Sequence, residues 1–348
     1  MATAADDGST RAVSGPDSGQ LPSYQELRRR TDAPAGSSWG LWGPHDQLGA
    51  LNLLTDERTQ AAAQLVRTGR VFPLGLPLEE PPQLAWRAKP VHRILRVGHE
   101  ARGFAPGGAD DTSGEFIDRD DVLDGLWLQG GTQWDGLAHV RHPVHGNYNG
   151  IPDASIHEGR GGQLGIDRWA ARGVVGRGVL LDVARYYTES GRPYDPETDV
   201  EIPVADLRET ARAQDVRLEP GDILLIRTGW TGRLTAADTA RQAAMMDFSK
   251  QRSPGLAPGE ETAGYLWDSH IAAVAADNAA LEVMRPGTGF PLHQLLLPLL
   301  GIPIGEYWVL DELAAECARD RRYAFLLVSV PFNLRGAIGS PPQAVAIR

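Results

Sequence analysis

The chain has 348 residues, 42% apolar and 23% charged, with a formal net charge of -11 at pH 7. This is an ordinary globular mix, long enough to bury a sizeable core. Its acidity argues against nucleic acid as a partner, because phosphate binding needs a basic face, and no apolar run is long enough to span a bilayer. The one cysteine, Cys317, rules out an intrachain disulfide and fits a reducing cytoplasm.

Residues 1–20 are rich in Ser, Gly, Asp and Ala, and are expected to form a disordered tail without the pattern of a secretory signal. Residues 21–35 read as a short helix and linker, with Ser23 as the N-cap of "SYQELRRR". Residues 36–348 are expected to form one domain. It opens with a turn-rich segment that leads into a helix capped by Thr55. "RVFPLGLPLEEPP" has strand-like spacing broken by prolines, and "VHRILRVGH" alternates as a strand. The Gly-rich stretch from about Ala101 to Asp120 reads as a long loop, a cover over a site or a dimer contact. "GVLLDVARYY" and "GDILLIRTGW" are aliphatic runs of buried-strand type. Gly173, Gly176 and Gly178 read as a turn into the first of these rather than as a nucleotide loop. "DELAAECARD" is an amphipathic helix holding Cys317 as a small core residue, and "YAFLLVSVPF" is a buried strand. Taken alone, these elements give a mixed α/β class.

The densest candidate chemistry lies in "LWLQGGTQWDGLAHV", from Leu126 to Val140. As a strand it would place Gln129, Gly131, Gln133 and Asp135 on one face, opposite Leu126, Leu128, Thr132 and Trp134. Polar groups this dense are costly to bury unless something binds them. A solvent-facing strand edge is the plainer alternative. His139 follows a turn at Gly136 and could fold back to the same side. His142 and His145 complete an H-x-x-H-x-x-H spacing, but a proline and two glycines exclude a helix there, so they read as a polar loop. Trp127 and Tyr148 are candidates to line a pocket for a flat ring. A second pair lies in "PLHQLLLPLLGIPIGEYW". His293 opens a short apolar helix that ends at Gly301, and Glu306 closes the strand-like piece after it. Each is costly there unless paired or coordinated, although His293 alone would also suit a hydrogen-bonded core histidine.

These residues resemble the cyclase family of metal-dependent hydrolases, which includes bacterial kynurenine formamidase and isatin hydrolase. The family motif H-x-G-T-H-x-D-x-P-x-H runs in register with Q-G-G-T-Q-W-D-G-L-A-H from Gln129 to His139, and "LHQLLLPLLGIPIGE" resembles the second ligand segment. "WGLWGPHDQLGALNLLT", "GRGVLLDVA", "LEPGDILLIRTGW" and "GSPPQAVAI" are similar too, so the resemblance covers roughly residues 36 to 348. It implies an α/β fold with a mixed sheet or barrel-like β core flanked by helices, usually dimeric. Carried over by position, it implies metal ligands at Gln129, Gln133, Asp135, His293 and Glu306, and proton transfer by His139. Both motif histidines are glutamine here, and the motif proline is Leu137. Glutamine offers a neutral carbonyl oxygen where imidazole offered nitrogen. Mn or Mg is therefore expected over Zn, or the amides hydrogen-bond a substrate with no metal at all.

The resemblance thus implies hydrolysis of a C–N or C–O bond in a small amide, formamide, lactam or lactone. Metal-activated water would attack, with His139 as general base and then acid. The alternatives are a cyclase or dehydratase of secondary metabolism, and a small-molecule binding protein that has lost catalysis. The expected partners are a small-molecule substrate and a second copy of the chain in a homodimer.

Overall fold

The computed structural model describes residues 21–80, 86–98 and 117–348. The expected tail (1–20) lies outside the described residues, as does most of the expected cover loop. In chain order the strands are β1 (Val71–Pro73), β2 (Val91–Gly98), β3 (Ile117–Asp124), β4 (Gln133–Asp135), β5 (Val174–Asp182), β6 (Glu201–Ile202), β7 (Ile223–Arg227), β8 (Gly255–Leu256), β9 (Ala273–Ala276), β10 (Ile304–Glu306), β11 (Ala324–Ser329), β12 (Gly339–Ser340) and β13 (Ala344–Ile347). Nine of them form one mixed sheet in the order β1-β13-β11-β5-β7-β9-β10-β4-β12. Within it β5, β7, β9 and β10 are parallel, and β4 lies antiparallel against β10. Parallel strands covered on both faces need continuous apolar sequence. Accordingly Ile223, Leu224, Leu225 and Ile226 of β7 are all fully buried.

Helices flank the sheet. Asp311–Asp320 turns Leu313, Ala314 and Cys317 inward, so the cysteine is a core residue as expected. Ser23 caps the helix Tyr24–Leu27 through a capping box with Glu26, and Thr55 caps Asp56–Ala63. No helix among the described residues is long and apolar enough to cross a membrane.

Three local expectations change. The run read as one strand, "GVLLDVARYY", stops at Asp182. The Asp182 carboxylate accepts from the Arg185 amide at 3.2 Å and starts the helix Val183–Glu189. Gly176 and Gly178 lie inside β5 rather than in a turn before it, and Gly178 faces the Phe325 ring where a Cβ has no room. Finally, Ile117–Asp124, whose acidic sequence reads as loop, is a strand paired antiparallel to β2 along its length. Cross-strand partners such as His92 for Asp121 and Arg93 for Asp124 offset its charge.

Candidate metal centre and catalytic site

The site is built where β4 meets β10. The register sets Glu306 opposite Gln133 and Ile304 opposite Asp135. Because side chains alternate along a strand, Gln133, Asp135 and Glu306 share one face while Trp134 points to the other. Trp134 anchors that other face. It stacks edge-on against Trp308 at 4.8 Å, and its Nε1 donates to Ser329 Oγ at 2.9 Å. On the polar face, Gln133 Nε2 donates to Glu306 Oε2 at 2.8 Å and to both Asp135 oxygens at 3.2 and 3.3 Å. His293, from the helix Pro291–Leu295, brings its Nε2 to 3.2 Å from Glu306 Oε1. One ligand atom from each of Asp135, His293 and Glu306 lies within 4.8 Å of the others, and all three residues are buried.

Gln129 reaches this region by a different route from the one its spacing suggests. Ladder pairing of β4 covers only Gln133–Asp135, and a turn closed by the Gly130 amide on the Trp127 carbonyl precedes it. Gln129 therefore belongs to the turn and not to the strand face. Its amide packs where a Cβ on Gly339 would lie. Gly339 is the cross-strand partner of Asp135, so the Gln129 amide lies on the Asp135 side of the sheet. His139 does fold back. Its Nε2 is 3.6 Å from Asp135 Oδ1, with about a quarter of its side chain exposed. His142 and His145 stack on each other in a tight turn closed by His142 and Gly146, the polar loop that the sequence suggests.

Sequence reasoning missed one acid altogether. Glu282, 1% exposed, lies 3.6 Å from His293 Nδ1 on the side of the ring away from Glu306. Its signal was a glutamate in the apolar run "AALEVM". Burial raises the Glu282 carboxyl above the usual range, with His293 acting against it. Burial and the Asp135 carboxylate raise Glu306 likewise. For His293, burial acts to lower the value, but the two flanking glutamates outweigh it and push the ring up to about 10. Three buried acids thus face one imidazole, with the Arg87 guanidinium of the same cavity acting on Glu306, and the excess of negative charge suits a cation. Gln133 Oε1 is buried without a hydrogen-bond partner. The oxygen and nitrogen of an amide exchange places by a half-turn, so the same side chain can present its oxygen to an ion held between the two carboxylates. Two carboxylates, one imidazole and an available amide oxygen fit a hard divalent ion.

These residues open onto a cavity of about 580 Å³, including its mouth. Gln133, His139, His293 and Glu306 line its floor, and Trp86, Phe248 and Phe290 its walls. The aromatic wall expected from Trp127 and Tyr148 is thus supplied by other residues. Trp127 borders a separate groove beside Leu78, and Tyr148 is fully buried with its hydroxyl on Asp46 at 2.9 Å.

The family model named Cyclase matches residues 81–283. The crystal structure of a novel cyclase superimposes with a TM-score of 0.76 at 37% identity, over 90% of this chain and 99% of that one. Isatin hydrolase A from Ralstonia solanacearum shares the fold, with a TM-score of 0.51 at 17% identity over 80% of this chain and 92% of that one. No curated protein matches the sequence. With the family model spanning more than half of the chain and a cyclase of known structure following nearly all of it, the protein belongs to the cyclase family.

Proposed function

We propose that the protein is a metal-dependent hydrolase acting on a C–N or C–O bond of a small amide, formamide, lactam or lactone. The observation that carries this reading is the convergence of Asp135, Glu306 and His293 on one buried face, beside a partnerless Gln133 oxygen. Asp135, His293, Glu306 and Gln133 would hold the ion, with Gln129 beside them. The oxygen-rich set favours Mn or Mg over Zn. A divalent ion bound there lowers the pKa of a water and polarises a carbonyl.

The chain's own residues supply the remainder. His139 stands at the cavity floor next to Asp135, within reach of a proton on an attacking water, and the same ring then protonates the leaving group. Asp135 holds that imidazole near the reacting face. Trp86, Phe248 and Phe290 would clamp a flat ring, and their apolar surfaces exclude bulk water. The exposed Ile94 and Leu123, on one face of the β2–β3 pair, support assembly as a homodimer, which sedimentation measures directly. The buried lone cysteine suits a cytoplasmic setting.

A second reading has its own support. Gln133 Nε2 already bridges both carboxylates, so the amide could replace the ion and leave a metal-free cyclase or dehydratase that uses the same acid–base groups. A panel of formanilides, lactams and lactones, assayed with and without chelator, separates the two. The hydrolase reading expects hydrolysis that chelation abolishes and Mn restores. Turnover that survives complete metal removal would contradict it.

A further inference from the structure

We propose that Glu282 is a positioning residue: it holds the His293 ring through Nδ1 so that Nε2 faces Asp135 and Glu306. The proposal rests on the reading of His293 as a metal ligand. Three observations carry it.

The ring is fixed between two acids. Glu282 Oε2 is 3.6 Å from Nδ1 on one side, and Glu306 Oε1 is 3.2 Å from Nε2 on the other. At 3.6 Å the first approach is a close ion pair, short of a hydrogen bond. Phe290 closes on the ring edge-on at 5.5 Å. The imidazole therefore has one face of the site to serve and one carboxylate behind it.

The carboxylate's surroundings all lead to His293. Both Glu282 oxygens are buried without a well-formed hydrogen bond, and the groups that act on them are the His293 ring and the backbone amides of Leu292 and His293. A buried carboxylate is costly unless such partners offset it. Packing alone would favour an apolar side chain at that position, with Leu281 and Val283 buried on either side.

The backbone is strained to deliver it. Leu281 adopts a left-handed φ of 56°, unfavourable for any residue with a Cβ. Asn278 Nδ2 donates to the carbonyls of Pro254, Leu281 and Glu282 at 2.7, 3.2 and 3.3 Å, and ties the turn down. Gly255 lies so close to the Glu282 carbonyl that a Cβ there would overlap it. Strain, a dedicated asparagine and an obligatory glycine all converge on one acid behind one histidine. Metal-binding histidines characteristically donate their second ring nitrogen to a carboxylate, and loss of that partner typically costs about 10–100-fold in metal affinity.

The test uses the full-length chain and two variants. Glu282→Gln keeps an acceptor oxygen and loses the charge, whereas Glu282→Leu removes both. Mn²⁺ affinity is measured by calorimetry, and the His293 ring nitrogens are followed by ¹⁵N NMR with diamagnetic Zn²⁺ added to saturation. Glu282→Leu is expected to weaken Mn²⁺ binding toward the upper end of the range, about 100-fold, and to lose the protected Nδ1 proton signal. Glu282→Gln is expected to keep that signal and to lose about tenfold in affinity. Because Glu282→Gln is isosteric, it decides the matter alone if the leucine variant shows no cooperative melt. Affinities within about twofold of the unchanged protein, with unchanged ring signals, would overturn the proposal. Neither readout involves turnover. Failure to hydrolyse any substrate would therefore count against the hydrolase reading and leave this one standing.

Discussion

Two clusters of buried acids sit in the same sheet, and they are built on opposite rules. Around Arg227, every carboxylate is satisfied. Asp277 accepts from the Thr228 amide at 2.6 Å, the Thr228 hydroxyl at 2.7 Å and the Gly229 amide at 2.8 Å. Asp182 accepts from Arg227 at 2.8 Å and from Arg185 at 3.2 Å, while Arg227 also donates to Asp311 at 2.7 Å. Around His293, by contrast, Gln133 Oε1, both Glu282 oxygens and His293 Nδ1 are buried without a hydrogen bond. Buried polar groups in folded proteins are nearly always paired, so those left unmade ask for an explanation. Burial of acids does not distinguish the two clusters. Incomplete pairing does, and it marks the second as the place where something binds.

The comparison can be broken in several ways. The largest effect should come from His139→Ala, which should lower turnover by about 10²–10⁴-fold, the range for losing a positioned acid–base group. Metal content should stay unchanged, and joint loss of metal and activity would make His139 a ligand instead. Next in size is a stability contrast. Asp277→Ala should destabilise the protein by about 3–5 kcal/mol in denaturant melts, since it leaves the buried Thr228 and Gly229 amides and the Thr228 hydroxyl without their acceptor. Asp135→Asn in metal-free protein should cost nothing or stabilise, because it removes one of two like charges sharing a single amide. Equal losses in the two variants would erase the distinction between the clusters. A smaller effect is expected from Gln129→His combined with Gln133→His, which should raise Zn²⁺ affinity relative to Mn²⁺ in competition titrations. An unchanged ratio would show that these side chains do not face the ion.

The smallest effect concerns pH. His293 moves from an ordinary 6.5 to about 10, with the two glutamates outweighing burial. A raised folded value means that its stabilisation is fully present below about 6.5 and is lost as pH rises through about 10. The melting temperature of metal-free protein should therefore fall across that window, and Glu282→Gln should flatten the slope. A level profile in the unchanged protein would count against an imidazolium between the two glutamates.

Much of this was legible in the sequence, and the limits are physical. The aliphatic run of β7 declares itself because a strand covered on both faces must be apolar, and β11, which buries every second residue, is apolar nearly throughout. Gln133, Asp135, His293 and Glu306 stand out as polar residues in apolar surroundings, and the structure brings them together. Period-two spacing puts Gln129 on the wrong element, because it shows which residues could share a face, not where ladder pairing stops. Asp182 ended β5 early because a cap depends on which amide its carboxylate meets, and Arg227 comes from another strand. Glu282 escapes a reading of the sequence because its partner, His293, lies across a turn whose strained Leu281 no local pattern announces.

The most direct measurement of the central claim is metal analysis of protein purified without chelator, repeated on Asp135→Ala. The account predicts a stoichiometric divalent ion, Mn or Mg rather than Zn, that is lost from the variant while its fold is retained by circular dichroism. Metal-free native protein that takes up neither ion on titration, yet turns over its substrate, would contradict it.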